Sequence, residues 1–110
     1  MNYIVLSITC RDLGEAKKIG DILLRARLIA CANYVPIQSA YWWHDAIEEG
    51  AEVVIVAKTR SDWYDRLVEL VEQHHSYDTP CIAAWPLGHI NEKYMRWLEG
   101  ELSGDSAARR

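Results

Sequence analysis

The sequence of 110 residues has no surplus of positive charge: twelve lysines and arginines stand against sixteen aspartates and glutamates, a formal charge of −4. Such a balance supplies no field to gather nucleic acid or an anionic membrane surface, so neither is expected as a partner. Disulfide signals are missing as well. Three cysteines, Cys10, Cys31 and Cys81, cannot all pair within one chain, and none stands in a CxxC spacing, which points to reduced thiols. No stretch approaches the roughly 20 apolar residues that span a bilayer. The opening MNYIVLSITC has too short an apolar part, and no basic region before it, to read as a secretion signal. A cytoplasmic protein is expected. Catalytic signatures are equally scarce, with no phosphate-cradling glycine pattern, no GxSxG and no HExxH. A cysteine nucleophile, Cys81 or Cys31, with His75 as base lacks a third group to orient it, so neither an enzyme nor an organic cofactor is expected.

What is present describes one folded domain, half apolar and a quarter charged, over residues 1–102, with SGDSAARR at 103–110 as a flexible tail. Alternation in YIVLSITC sets Ile4, Leu6, Ile8 and Cys10 on one face of a first strand. Asp12 follows as a helix N-cap, with Glu15 placed to close a capping box. Leu13, Ala16, Ile19, Ile22, Leu23 and Ala26 then recur at helical spacing to about Arg27, with Glu15 among the polar residues elsewhere on the wheel. LIACANYVPIQSAYWW predicts a long second strand, interrupted or bulged near Pro36. Two turn sites follow, HDA at 44–46 and EEGA at 48–51, and either returns EVVIVAKT as a third strand. Ser61 is expected to cap a second helix whose stripe is Trp63, Leu67, Leu70, Val71 and His74. Pro80 stops that helix, CIAAWP makes a fourth short strand, and Asn91 opens a last helix carrying Tyr94, Trp97 and Leu98.

The order β-α-β-β-α-β plus a C-terminal helix is that of an α+β, ferredoxin-like split βαβ fold with an antiparallel sheet. Such a sheet ordinarily keeps one wet, polar-alternating face. Here Val53, Val54, Ile55, Val56 and Ala57 are apolar at every step, and Cys81 through Trp85 repeat the habit. Self-association would cover the second face; the last helix alone is the alternative.

Several stretches, in this order and spacing, resemble the CutA divalent-cation tolerance family from Ile4 to about Leu98: LIACAN at 28–33, YWW with IEE at 41–49, EVVIVAKT at 52–59, HHSYDTP at 74–80 and YMRWL at 94–98. The resemblance implies a compact homotrimer related to the PII signalling proteins and a role in tolerance of divalent metals such as copper. Where the family usually reads HPY this chain has His75, Ser76 and Tyr77, and Arg11 and Cys81 replace a proline and a glutamate.

In the family, copper binding is attributed to the histidine pair with a cysteine near the end of the first strand. The resemblance therefore implies His74, His75 and Cys10 as ligands for Cu(II) or another divalent cation, and imidazole and thiolate suit such ions. The bland reading competes: His74 continues an apolar stripe and Cys81 opens a buried strand. Lys58, Thr59, Tyr77 and Asp78 are candidates to line a cleft between subunits, where PII-like trimers bind small molecules or anions. Trp42 and Trp43 point to opposite sides of a strand, so at most one faces the helices and the other is expected at a subunit contact.

Overall fold

A computed structural model describes residues 2–103. The elements are β1 (Tyr3–Cys10), α1 (Leu13–Arg25), β2 (Cys31–Trp43), β3 (Ala46–Arg60), a 3-10 turn (Ser61–Trp63), α2 (Tyr64–His74), β4 (Ile82–Pro86) and α3 (Glu92–Glu101). All three strand pairings are antiparallel and the sheet order is β2-β3-β1-β4. This is the split βαβ arrangement expected. The tail expected at 103–110 lies, Ser103 aside, outside the described residues.

Alternation in β1 does what its pattern predicts: Ile4, Leu6, Ile8 and Cys10 are buried, and the register sets Leu6 beside Ala57 and Ile8 beside Ile55. Ile19 and Leu23 of α1, with Leu67 and Val71 of α2, close over this face as one core. Asp12 caps α1, its Oδ1 accepting from Glu15 N–H at 2.8 Å. The helix ends in a left-handed residue, Arg27 at φ 59°, with Leu28 N–H donating to Leu23 O and Arg27 N–H to Leu24 O. That pair of bonds is a Schellman closure made without the usual glycine. Gly20 admits close approach instead, because a Cβ there would collide with the Tyr34 hydroxyl and stand 3.0 Å from its Cζ.

Four expectations are corrected. No bulge occurs at Pro36, which pairs in register with Val53; β2 is an edge strand, where a missing N–H need not break the ladder. Ser61 does not cap α2. It heads the 3-10 turn and its hydroxyl donates to Asn2 O, while α2 has no side-chain cap. The α2 stripe stops at Val71, and His74 is exposed. Cys81 precedes β4 and is exposed too, so it is not a core residue.

Of the two turn sites the first is used. His44 and Asp45, at φ 50° and 62°, join Trp43 to Ala46 as a two-residue loop with both central residues left-handed, which matches strand twist. Gly50 sits within β3 opposite Ser39. The long hairpin projects as an arm and makes the molecule elongated, 50 × 27 × 22 Å. Neither Trp42 nor Trp43 on this arm is buried. On the second sheet face α3 covers one part, with Tyr94 Oη 3.4 Å from Cys31 Sγ; Val35 and Trp85 stay exposed.

Candidate functional site

Adjacent histidines on a regular helix diverge by about 100°, and here the divergence is larger in consequence because α2 ends between them. His75 is the C-cap, with extended backbone at φ −81° and ψ 142°. That break drops its side chain into the interior, where it is fully buried. His74, still helical, faces solvent. Inside, His75 Nε2 lies 2.8 Å from Thr9 O and Nδ1 accepts from Tyr77 N–H at 3.0 Å. A carbonyl on one side and an N–H on the other fix a neutral imidazole protonated at Nε2.

Glu15 approaches the same point from α1. The expected capping box is only half formed: the Glu15 carboxylate passes over Asp12 N–H and accepts from Arg11 N–H at 3.0 Å and from Ser76 N–H at 2.9 Å. Its Oε1 stands 4.0 Å from His75 Nδ1. Burial by itself would raise the Glu15 carboxyl, but the N–H groups of Arg11 and Ser76 outweigh it and hold the group below its ordinary range. Cys10, at the end of β1, completes the cluster. One donor atom each from Cys10, Glu15 and His75 lies within 4.8 Å of the others. Burial first, and then the negative charges of Glu15, Asp12 and Glu52, push the Cys10 thiol up to about 12.

The sulfur, oxygen and nitrogen donors suit a borderline divalent ion such as Zn(II) or Cu(II). Each donor is already engaged or protonated, so an ion held here would enter only by exchange: the Cys10 thiol would give up its proton and His75 Nδ1 would leave the Tyr77 N–H. The expected ligand set of His74, His75 and Cys10 is therefore brought together in two of its members, with Glu15 in the place of His74. Glu15 reads from sequence as one of the polar residues off the apolar stripe; the signal that could have placed it inside is the helix face it shares with Ile19 and Leu23 at steps of four.

Next to this cluster lies a cavity of about 810 Å³ between the hairpin arm and the loop after α2. Tyr77 and Asp78 line it. Lys58 and Thr59 do not. Thr59 is fully buried, with Oγ1 donating to Leu28 O at 2.5 Å, and Lys58 Nζ sits 3.9 Å from Cys31 Sγ beneath Tyr94. The two diverge because consecutive strand residues face opposite sides of the sheet. Glu52, which sequence reasoning missed, also lines the cavity and accepts from the Tyr77 hydroxyl at 2.5 Å.

Comparison with known proteins gives one consistent result. The profile of the family described as CutA1 divalent ion tolerance protein matches residues 4–101. The divalent-cation tolerance protein CutA of Pyrococcus horikoshii is 40% identical over 95 residues, covering 86% of this chain and 93% of its own length. The protein of the same name from Archaeoglobus fulgidus is 38% identical over 92 residues, 84% of this chain and 90% of its own. Among solved structures, CutA1 from Oryza sativa superposes with a TM-score of 0.89 at 33% identity, covering 96% of this chain and 97% of that one. A periplasmic divalent cation tolerance protein CutA from Archaeoglobus fulgidus gives 0.87 at 35% identity, covering 91% and 98%.

Proposed function

Because the chain belongs to the CutA1 divalent-ion tolerance family, we propose that it serves tolerance as a non-enzymatic binding protein, holding a divalent ion as cargo on Cys10, Glu15 and His75. The observation that carries this reading is the convergence of a thiol, a carboxylate and an imidazole within 4.8 Å at a buried point. Thiol and imidazole favour Cu(II) or Zn(II) over Mg(II) or Ca(II), which prefer oxygen alone.

Native mass spectrometry of metal-free protein, before and after one equivalent of Zn(II) or Cu(II) per chain, tests the assignment. One retained ion per chain is expected. Cys10→Ala, a small change of volume at a buried position, is expected to weaken binding by at least about 100-fold, more than loss of an outer partner usually costs. His74→Ala is expected to bind like the parent. Retention by the Cys10 variant, or loss in the His74 variant, would return the site to the adjacent histidine pair.

We further read the working form as a homotrimer in the cytoplasm. Support for assembly comes from the apolar surface left on one subunit: Val35 and Trp85 on the second face, and Trp42 at 72% exposure paired across the hairpin with Ile47 at 61%. Support for a reducing compartment is three unpaired cysteines. Trp42→Glu is expected to shift sedimentation from trimer toward monomer, and an unchanged trimer would remove Trp42 from the interface.

A further inference from the structure

A carboxylate at the third position of a capped helix has a home close by. In the reciprocal capping box it turns back to the N–H of the N-cap residue and stays at the helix surface. Asp12 is the N-cap of α1, and Glu15 stands at that third position. The Glu15 side chain nevertheless lies inside, 4% exposed, with Oε1 4.0 Å from His75 Nδ1. Two backbone donors hold it there, Arg11 N–H on Oε1 at 3.0 Å and Ser76 N–H on Oε2 at 2.9 Å.

The two donors come from different parts of the chain. Arg11 follows the end of β1, and Ser76 lies just past the end of α2. Because each oxygen is tied to its own segment, the carboxylate can neither rotate nor return to Asp12 without losing a bond. An ionised carboxylate oxygen accepts from more than one partner, so both anchors can stay while Oε1 offers its remaining lone pair to an ion. Tyr77 N–H differs in this respect, since it occupies the single lone pair of His75 Nδ1.

The three converging donors, Cys10, Glu15 and His75, do not suit all ions equally. Thiolate selects soft ions such as Cu(I) as well as Zn(II), imidazole suits copper and zinc, and carboxylate favours harder divalent ions. A soft monovalent ion is held by a thiolate and an imidazole alone, whereas Zn(II) calls for about four ligands. Loss of the carboxylate therefore falls on the divalent ion. Resting on the reading of these three residues as the ion site, we propose that the backbone N–H groups of Arg11 and Ser76 set its preference for divalent over monovalent ions, by clamping Glu15 beside Cys10 and His75. Arg11 and Ser76 are positioning residues that act through Glu15.

Proline deletes a backbone N–H, and alanine keeps it. Cys10 within β1 and His75 at ψ 142° both have the extended backbone that a following proline requires. Competition titrations on the full chain, against a zinc chelator and, without oxygen, against a Cu(I) chelator, compare the variants. Arg11→Pro and Ser76→Pro are each expected to weaken Zn(II) binding by about 10- to 100-fold, the usual cost of losing a partner that orients a ligand. Their Cu(I) affinity is expected to stay within about threefold of the parent. Arg11→Ala is expected to bind both ions as the parent does. Glu15→Gln leaves the backbone untouched and is expected to lose Zn(II) while retaining Cu(I), which decides the matter even where a proline variant does not fold. Equal loss of both ions in a folded proline variant, parent-like Zn(II) binding in both proline variants, a loss in Arg11→Ala as large as in Arg11→Pro, or Cu(I) falling in step with Zn(II) in Glu15→Gln would each overturn the proposal. A parent protein that retains no Zn(II) removes the site reading and the clamp together; a parent that retains it, with proline variants that do the same, removes the clamp alone.

Discussion

Glu15→Ala is expected to lower the unfolding free energy by about 3 to 4 kcal/mol, the cost of removing a buried charged acceptor from two donors. The side chain stands at the junction of three segments: the turn before α1, where it takes Arg11 N–H; the loop after α2, where it takes Ser76 N–H; and the cluster with His75 and Cys10. Removing it leaves both N–H groups without their partner. Glu15→Gln retains one acceptor oxygen but turns an amide N–H toward the other donor, so an intermediate loss of about 1 to 2 kcal/mol is expected. The pH dependence separates charge from shape. Since the folded protein holds Glu15 below its ordinary range, its contribution is fully present above the unfolded value near about 4.3 and is lost as pH falls through the lower, folded value. Urea melts of the parent and the Gln variant should therefore converge in acid. A difference that stays constant from neutral to acid pH would show that the charge of Glu15 does not stabilise the fold.

Zinc affinity is expected to rise about tenfold for each unit of pH, hence about 100-fold from about pH 6 to about pH 8. The reason is the Cys10 thiol, pushed up to about 12 by burial and nearby acidic groups. Throughout this range the sulfur is protonated in the free protein, and binding must release that proton, so the ionised fraction available to the metal grows tenfold per unit. Competition titration against a chelator at several pH values measures the slope directly. In Cys10→Ala the slope attributed to the thiol should vanish together with most of the affinity. An affinity independent of pH in the parent would mean that Cys10 does not bind as thiolate, and would leave Glu15 and His75 without their third ligand.

Elements with local signals were legible: the period of two in β1 gave its buried face, Asp12 capped α1 as its position suggests, and His44–Asp45 supplied the left-handed turn that one of the two candidate sites required. Signals that compete with tertiary context misled. Ser61 looks like a cap, but its hydroxyl is taken by Asn2 O. Pro36 looks like an interruption, but an edge strand accommodates it. His74 continued a helical stripe on paper, yet the residue that enters the core is His75, because the helix stops one position before it. Glu15 was counted with the polar residues since a carboxylate is ordinarily solvated; the N–H groups that make its burial tolerable come in part from Ser76, which no local pattern brings near.

The sequence by itself determined the order of strands and helices, the helix-facing side of β1 and, through the order and spacing of its short motifs, membership of the CutA1 family. These follow from periodicities and turn chemistry carried by neighbouring residues, which act whatever the rest of the chain does. Only the tertiary structure decided which histidine turns into the interior and that Glu15 meets it there. His75 meets Thr9 across 66 residues and Glu15 meets Ser76 across 61. Contacts at that separation depend on sheet register and on where a helix ends, and both are set by how the whole core packs.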